Sequence, residues 1–290
     1  MIEAGSNKSA SSQMYDRLRI DSAIDAWLAE DIGHGDLTSE SMIPKGMRAS
    51  FGVNAREGLT VAGLEVAARV FTRCDSGIEV TILAGDGDRL APGAPLARID
   101  GPARPILTAE RTALNILQRL CGIATETARY VAEIAGTKAR LVDTRKTTPG
   151  LRMLEKHAVV CGGGANHRLG LDSGIMLKDN HIALCGSLVE AVARARRAAP
   201  LLTRIEVECD RLDQVEEALR AGADVIMLDN MSVESLRQAV GLVAGRVPLE
   251  ASGGVRFETV RAIAETGVDF ISCGRLTQGA LAVDIGLDAE

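Results

Sequence analysis

The spacing of hydrophobic residues becomes regular in the second half of the chain. From residue 139 onward, short apolar runs alternate with segments in which apolar residues recur at helical spacing. This alternation is typical of a parallel sheet that is buried on both faces. Because there are about six such units and not eight, we predict an α/β fold with an incomplete (β/α) barrel. The predicted strands are ARLVD (139–143), GIMLKD (174–179), RIEVEC (204–209), DVIMLD (224–229), VPLEAS (247–252) and DFISCG (269–274).

The first half of the chain has shorter and more mixed segments. Residues 21–31 have the pattern of a short amphipathic helix with Asp21 as its N-cap. Residues 48–63 predict a pair of strands, and a helix at 64–74 and two further strands follow. The pattern over residues 104–136 predicts two long helices packed together through small residues.

The composition is that of an ordinary globular protein, with 46% hydrophobic and 25% charged residues. A net charge of −6 and an aromatic content of 2% argue against nucleic-acid and anionic-membrane binding. No apolar run approaches the ~18 residues of a membrane span. The polar, serine-rich segment 1–20 predicts a flexible tail and not a signal peptide. We therefore expect a cytoplasmic protein.

The cysteines support the same compartment. They are far apart, with no Cys-x-x-Cys pair and no Cys–His spacing that we take as a metal site, so we expect reduced thiols. We expect His157 to be a packing or hydrogen-bonding residue. The six cysteines are Cys74, Cys121, Cys161, Cys185, Cys209 and Cys273.

The segment Asp143–Ile182 concentrates positive charge in an otherwise acidic chain. It holds six basic and four acidic residues, and it contains three of the four histidines. A basic stretch is more often a solvated surface, but these cations stand singly at the ends of apolar segments. Because working residues of α/β proteins occupy such positions, we predict a pocket for a small, strongly anionic ligand.

Polar or glycine residues follow each predicted strand of the second half. In a barrel these strand ends converge on one face, where active sites are found. The doubly wound alternative would place a G-x-G-x-x-G motif after its first strand, and the sequence has none. The strand-end groups are Asp143-Thr144-Arg145-Lys146, Lys178-Asp179-Asn180-His181, Glu208, Asp229-Asn230, Ser252-Gly253-Gly254 and Gly274.

The residue types at these ends indicate what the ligand carries. Arg145 and Arg168 suit a carboxylate, since a guanidinium offers a two-pronged fork, and Lys146 and Lys178 suit phosphates or a second carboxylate. The two glycine turns after the last strands suit a phosphate held by backbone N–H groups. A rival interpretation makes one of the lysines a Schiff-base nucleophile, as in aldolase-like barrels.

Two acidic residues among these cations need a different explanation. Glu208 and Asp229 cannot bind an anion directly. Facing a phosphate-rich ligand, carboxylates usually hold Mg²⁺, often through water, or accept hydrogen bonds from sugar hydroxyls. The pattern therefore predicts a substrate with carboxylates, phosphates and a ribose, together with Mg²⁺.

Several long motifs resemble one enzyme family. DTRKTTPG, LEKHAV, GGGANHRLGL and KDNH are similar to quinolinate phosphoribosyltransferases. So are EDIGHGDLTS, GPAR, LTAERTALN, VEVE, IMLDN, EASGG and TGVDFIS, in the same order. The resemblance runs from about Ala29 to the C-terminus and leaves out no block.

The resemblance implies an activity and an assembly. Members of this family join quinolinate to phosphoribosyl pyrophosphate and form nicotinate mononucleotide, pyrophosphate and CO₂ in NAD biosynthesis. It implies a homodimer in which Arg111 enters the partner's site, and it leaves a hexamer open. From the residues alone, Arg111 is a surface helix cation that pairs with Glu110 or a neighbour.

The resemblance also implies roles for individual residues. Arg145, His167, Arg168 and Lys178 would surround the carboxylates of quinolinate. Lys146 would meet phosphoribosyl pyrophosphate, and Thr144 is a further predicted substrate-binding residue. Glu208 and Asp229 would hold ribose hydroxyls and Mg²⁺-bound water. The predicted contacts of the 5′-phosphate are Ser252, Gly253, Gly254, Gly274, Arg275 and Leu276. Lys146, Lys178, Glu208 and Asp229 are the predicted catalytic residues.

The implied domain limits follow the family's fold. After the tail, residues 21–136 would form an α/β sandwich domain and residues 137–276 the incomplete barrel with the active site. Residues 277–290 would form a C-terminal helix that returns to the first domain.

Two other functions fit parts of the pattern. One is a related transferase of the same fold found with molybdenum-uptake genes, but the intact KDNH block favours the quinolinate enzyme. The other is a non-catalytic protein that binds a phosphorylated metabolite. A binding protein would not need both Glu208 and Asp229, which weighs against it.

Overall fold

The structure is a computed structural model that describes residues 17–290. The part of the predicted tail at residues 1–16 lies outside the described residues. The chain has the predicted α/β fold and divides into two compact units. The first unit comprises residues 17–128, 148–163 and 280–290, and the second comprises 129–147 and 164–279.

The first unit is built around an antiparallel sheet. Its helices are α1 (Arg17–Ile32), α2 (Leu37–Met42), α3 (Leu64–Cys74), most of α4 (Ala103–Glu133) and α5 (Arg152–Cys161). Its strands are β1 (Arg48–Ala55), β2 (Leu59–Thr60), β3 (Glu79–Ile82), β4 (Arg89–Leu90), β5 (Pro95–Pro102) and β12 (Ile285–Ala289). The order of the four-stranded sheet is β12-β1-β5-β3, and β2 pairs with β4. Both strands predicted within residues 48–63 are present, as β1 and β2, but they pair with other strands and not with each other.

Helices cover one face of this sheet. Val53 of β1 and Ile99 of β5 are buried and line one small apolar cavity together with Phe71 of α3 and Leu117 of α4. Alternate residues of a strand point to the same face, which gives the sheet one apolar side against α3 and α4. Burying each such side chain contributes roughly 1.5–3 kcal/mol to the free energy of folding.

The first helix begins before its predicted N-cap. Helix α1 starts at Arg17, and Ile20, Ile24 and Leu28 are buried at four-residue spacing along it. That stripe extends the helix one turn beyond Asp21. The Asp21 carboxylate instead accepts two hydrogen bonds from Arg69, at 2.8 and 2.7 Å.

The predicted helix pair at 104–136 is a single helix, α4. Gly122 stands in its middle and would be expected to weaken it. A Cβ atom at this position would collide with the backbone of Leu281 and lie 3.2 Å from Cα of Ala282. The glycine therefore lets residues 281–282 pass close to the helix, and it does not interrupt it.

The C-terminus is a strand, and the C-terminal helix predicted at 277–290 is wrong. Strand β12 pairs antiparallel with β1 in a register that runs from Phe51 opposite Ala289 to Ala55 opposite Ile285. The pairing joins residues more than 200 positions apart, so the local pattern could not reveal it.

The second unit has the alternation expected from the sequence. Its strands are β6 (Arg140–Val142), β7 (Ile175–Leu177), β8 (Ile205–Cys209), β9 (Val225–Asp229), β10 (Leu249–Ser252) and β11 (Phe270–Ser272). Its helices are α6 (Asp179–Cys185), α7 (Leu188–Ala198), α8 (Leu212–Ala221), α9 (Val233–Val243), α10 (Phe257–Ala264) and α11 (Arg275–Gln278). All six strands lie within the predicted segments, which confirms that part of the prediction.

The six strands form one parallel sheet in the order β6-β11-β10-β9-β8-β7. Within the described residues no ladder closes the sheet between β6 and β7, so the barrel is incomplete. Beside β6 a single bridge joins Val142 to Ala165. None of the helices between residues 17 and 290 has the length and apolar character that crossing a membrane requires.

Candidate active site

The carboxyl ends of the parallel strands surround a cavity of about 640 Å³. All the residues that line it belong to the second unit. The structure thus brings together groups that the sequence places after six different strands. The predicted site residues found in the lining are Thr144, Arg145, Lys146, His167, Arg168, Lys178, Glu208, Asp229, Ser252, Gly253, Gly254, Gly274 and Arg275.

The strand register determines which polar side chains of neighbouring strands lie side by side in the cavity. Leu177 of β7 pairs with Val207 of β8, so the next residues, Lys178 and Glu208, stand level. Lys178 Nζ and Glu208 Oε2 form an ion pair. Glu208 pairs with Met227, and two residues further along the strands Ser252 pairs with Asp229.

Two arginines crowd one side of the cavity. Arg168 donates from Nη1 to the carbonyl oxygen of Gly174 at 3.1 Å. Burial and then the nearby charge of Arg145 lower the pKa of Arg168. Nε of Arg145 is buried and lacks a hydrogen-bond partner among residues 17–290. Two guanidinium groups held this close, one with an unpaired donor, are suited to an anion that accepts from both.

His167 lies between two buried carboxylates. Its Nε2 is 3.2 Å from Oε2 of Glu206 and 3.2 Å from Oε2 of Glu250. The backbone N–H of His167 donates to the buried Asp143 carboxylate at 2.9 Å, which fixes the loop that carries the ring. Nδ1 lies 2.7 Å from the backbone N of Arg168. Nε2 therefore carries the proton of the neutral ring and donates it toward the carboxylates.

The charge of this cluster follows from the balance of burial and pairing. Burial favours the neutral imidazole, but the hydrogen bonds to Glu206 and Glu250 outweigh it and raise the pKa of His167 to about 10. Burial also raises the pKa of Glu206. At neutral pH the His167 ring is therefore charged and carries a proton on Nδ1 as well as on Nε2. A protonated Nδ1 can no longer accept the hydrogen bond from the backbone N–H of Arg168.

The glycine turns make room for backbone groups and for one lysine. Gly253 has a φ of +85°, and a Cβ there would lie 2.9 Å from the backbone N of Asn230. A Cβ on Gly274 would lie 2.9 Å from Cδ of Lys146. Thr277 holds the Lys146 segment by donating from Oγ1 to its carbonyl oxygen at 2.7 Å. Glycines at these points therefore keep the loops open for a bound group.

Glu208 and Asp229 are acidic residues among the cations that line the cavity. Oδ2 of Asp229 accepts a hydrogen bond from Nδ2 of Asn230 at 2.7 Å, and Glu208 is paired with Lys178. Both side chains offer hard oxygen donors on neighbouring strands, a donor set that fits Mg²⁺. Their existing partners leave each carboxylate with one oxygen for such a role, which suits binding through water.

Two predicted site residues are elsewhere. The side chain of Leu276 is fully buried and does not line the cavity. Arg111 lies on α4 in the first unit with 59% of its side chain exposed, 3.7 Å from Glu110. Of the remaining cations of the basic segment, Arg152 and Lys156 lie on α5 in the first unit.

Several residues of the site do not follow from the strand-end pattern of the sequence. Glu206 and Glu250 are buried glutamates within apolar strands, two positions before Glu208 and Ser252. That spacing puts each pair on one face of its strand, a signal that the sequence contains. The missed lining residues are Met176, Met227, Glu250, Val255, Arg256, Ser272 and Gln278, while Asn230, which was predicted only as a strand-end group, also lines the cavity.

Comparison with family models gives two matches that together cover nearly the whole described chain. Residues 36–121 match the quinolinate phosphoribosyl transferase N-terminal domain, and residues 123–288 match the C-terminal domain. A Bacillus subtilis relative named probable nicotinate-nucleotide pyrophosphorylase [carboxylating] is 44% identical over 93% of this chain and 93% of its own length. A Mycobacterium leprae nicotinate-nucleotide pyrophosphorylase [carboxylating] is 43% identical over 90% of this chain and 94% of its own.

Solved structures give the same result. NadC from Streptococcus pyogenes superimposes with a TM-score of 0.92 at 42% identity and covers 96% of this chain and 100% of its own. The nicotinate-nucleotide pyrophosphorylase from Francisella tularensis has a TM-score of 0.90 at 38% identity, over 95% and 98% of the two chains. These matches confirm the resemblance found in the motifs. By sequence and by fold, the chain belongs to the quinolinate phosphoribosyltransferase family.

Proposed function

We propose that the chain transfers the phosphoribosyl group of phosphoribosyl pyrophosphate to quinolinate, with loss of CO₂, and forms nicotinate mononucleotide and pyrophosphate. The observation that carries the proposal is the convergence of two arginines, a doubly paired histidine, two lysines and two carboxylates on one cavity. Family membership and relatives named as carboxylating pyrophosphorylases support it. The same names disfavour the molybdenum-associated transferase and the non-catalytic binder.

Quinolinate binding follows from the two adjacent guanidinium groups. A pyridine with carboxylates on neighbouring carbons presents two adjacent negative charges, and Arg145 lies near enough to Arg168 for its charge to lower the pKa of Arg168. Each arginine can accept one carboxylate in a forked contact, and the unpaired Nε of Arg145 gains a partner. The charged His167 ring, held by Glu206 and Glu250, adds a third positive group on the same side.

Phosphoribosyl pyrophosphate fits the other side of the cavity. Open turns at Gly253, Gly254 and Gly274 can present backbone N–H groups to the 5′-phosphate. Lys146 then faces the pyrophosphate, and Glu208 and Asp229 accept hydrogen bonds from the ribose hydroxyls. When bound, Mg²⁺ would be held by Glu208 and Asp229 through water and would supply positive charge to the pyrophosphate.

The bond changes require no covalent enzyme intermediate. The bond between the anomeric carbon and the pyrophosphate oxygen breaks, and Lys146 stabilises the departing charge. The ring nitrogen of quinolinate attacks the anomeric carbon, whose developing positive charge lies near Glu208 and Asp229. The carboxylate next to the pyridinium nitrogen leaves as CO₂, its bonding pair stays on the ring carbon, and that carbon takes up a proton. Positioning of the two substrates supplies much of the rate.

We further propose that the chain forms a homodimer, or a hexamer built from such dimers, in which Arg111 completes the site of the partner. We also propose that the protein is cytoplasmic. The exposure of Arg111 and its weak pairing with Glu110 support an intermolecular role.

The proposal is tested by release of labelled CO₂ from carboxyl-labelled quinolinate. The assay contains phosphoribosyl pyrophosphate and Mg²⁺, and each component is omitted in turn. Release that needs all three, with nicotinate mononucleotide formed in equal amount, is the expected result. Tight binding of phosphoribosyl pyrophosphate without release would point to a different acceptor and overturn the quinolinate assignment.

A further inference from the structure

A second cluster of reactive side chains lies in the first unit. Asp86 stands in the segment between β3 and β4, and His157 and Cys161 stand on α5. Residues four positions apart share one face of a helix, so His157 and Cys161 point to the same place. The imidazole is almost fully buried, while the other two side chains are partly exposed. The proposed function uses none of these three residues.

The three donor atoms converge on a single point. Nε2 of His157 is 2.6 Å from Oδ2 of Asp86 and 3.4 Å from Sγ of Cys161. Sγ of Cys161 is 3.8 Å from the same Oδ2. A carboxylate oxygen, an imidazole nitrogen and a sulfur atom therefore form a small triangle, an arrangement compatible with three ligands of one metal ion.

The geometry does not suit a cysteine nucleophile. A histidine that activates a thiol uses one ring nitrogen for the thiol and the other for an orienting acid. Here the acid and the thiol face the same nitrogen, Nε2 of His157. Burial, and then the charge of Asp86, raise the pKa of the Cys161 thiol, so the sulfur is protonated and unreactive without a metal.

Backbone hydrogen bonds fix the orientation of the Asp86 carboxylate. Oδ1 of Asp86 accepts the backbone N–H groups of Gly63 and Leu64, at 2.9 and 3.4 Å, where α3 begins. This leaves Oδ2 directed at His157 and Cys161. Such support of a ligand by backbone hydrogen bonds is typical of protein metal sites.

The distances fit zinc after one small adjustment. With Zn–S near 2.3 Å and Zn–N and Zn–O near 2.0–2.1 Å, tetrahedral ligands stand roughly 3.3–3.6 Å apart. The sulfur–nitrogen and sulfur–oxygen distances of 3.4 and 3.8 Å are already close to this. The nitrogen–oxygen distance of 2.6 Å is a hydrogen bond. It would open by about 0.7 Å once the shared proton leaves.

We propose that Asp86, His157 and Cys161 bind one Zn²⁺ ion, with a water molecule as the fourth ligand. A thiolate and an imidazole favour a borderline-soft ion over Mg²⁺, so the site is distinct in chemistry from Glu208 and Asp229. Binding releases the thiol proton of Cys161 to solvent. The proton that Nε2 of His157 shares with Asp86 moves through solvent to Nδ1, so that the neutral imidazole coordinates through Nε2. The ion links the segment before β4 to α5 and the start of α3, and it stabilises the first unit.

Cobalt substitution tests the proposal on the full chain. The purified protein is freed of metal with a chelator and titrated with Co²⁺ in excess Mg²⁺. A thiolate ligand gives a near-ultraviolet charge-transfer band, and tetrahedral geometry gives strong visible bands. We expect both to saturate at one ion per chain and to disappear when one equivalent of Zn²⁺ is added. The cluster of His167, Glu206 and Glu250 contains no sulfur, so cobalt bound there gives no such band.

Matched variants assign the signal. Cys161→Ser should remove the charge-transfer band, and Cys74→Ser, which changes another partly buried thiol of the same unit, should keep it. His157→Gln should weaken Co²⁺ binding on the order of 10²-fold or more. Zinc X-ray absorption of the unmodified chain, which needs no variant, should show one sulfur neighbour at about 2.3 Å. Absence of that sulfur, or a charge-transfer band that survives Cys161→Ser, would overturn the proposal.

Discussion

His167 and His157 contact similar groups in different surroundings. Nε2 of His167 lies 3.2 Å from each of two carboxylates, in a cavity that also holds two arginines. Nε2 of His157 lies 2.6 Å from one carboxylate and 3.4 Å from a thiol. In the first case the surrounding cations suit an anion, and in the second the converging donor atoms suit the proposed cation. What surrounds a histidine, more than its nearest partner, therefore indicates its ligand.

Lys146→Ala gives the largest expected effect on the anionic site. Removing the cation that faces the pyrophosphate should lower turnover by roughly 10²–10³-fold, because the leaving group loses charge stabilisation. Folding should persist, since the Lys146 side chain lines the cavity and its segment is held through its backbone by Thr277. Turnover is measured by steady-state kinetics and folding by circular dichroism.

Lys45→Ala, which changes an exposed lysine of the first unit, is the control for Lys146→Ala. Equal turnover in the two variants would remove Lys146 from the mechanism.

Gly253→Ala tests the turns on the phosphate side. The new Cβ would meet the backbone N of Asn230 at 2.9 Å, and the φ of +85° is strained for alanine. We expect the KM for phosphoribosyl pyrophosphate to rise roughly 10–10²-fold with a stability loss of about 1–3 kcal/mol. Gly241→Ala on α9, where the added Cβ meets open space, should instead stabilise by about 0.5–1 kcal/mol. An unchanged KM in Gly253→Ala would contradict phosphate binding at this turn.

How well the sequence predicted each region depended on how local its interactions are. Apolar strands and the cations that follow them are local features, so Lys146, Lys178 and Glu208 were placed in one cavity from their positions alone. The carboxylates of Glu206 and Glu250, which contact His167, were not predicted because the overall apolar character of β8 and β10 hides single acidic residues within them. Alternation along β8 puts Glu206 on the same face as Glu208, and the sequence does contain that signal.

The remaining errors came from contacts between distant parts of the chain. Strand β12 exists because it pairs with β1, and Gly122 is tolerated in α4 because residues 281–282 pass beside it. The proposed zinc site, which goes against the expectation that no cysteine has a metal-site spacing to histidine, also depends on a distant contact. His157 and Cys161 have a ligand-compatible spacing of four, but Asp86, which completes the triangle, lies 71 residues before His157.

His167→Gln compares the two histidine settings through the pH dependence of stability. The pKa of His167 is about 10 in the folded chain and near 6.5 in an unfolded one. Its stabilising contribution is therefore complete below pH 6.5 and is lost as the pH rises through about 10. The unfolding free energy of the wild type should exceed that of the variant by on the order of 2 kcal/mol at pH 6.5. Urea titrations should show this difference shrinking toward pH 10. A difference that grows with pH would contradict the assigned charge.

Arg111→Ala gives the smallest expected change in stability and asks whether the first unit contributes to the anionic site. Its side chain is 59% exposed and its pairing with Glu110 spans 3.7 Å, so the unfolding free energy should change by less than about 0.5 kcal/mol. Activity should nevertheless be lost if Arg111 reaches the partner's cavity. Mixing inactive Arg111→Ala and Lys146→Ala chains decides the matter, because each mixed dimer then has one intact site and one doubly defective site. Random exchange should restore about a quarter of wild-type activity. Mixed dimers that form, as shown by tagged subunits, but remain inactive would mean that Arg111 does not act in the partner's site.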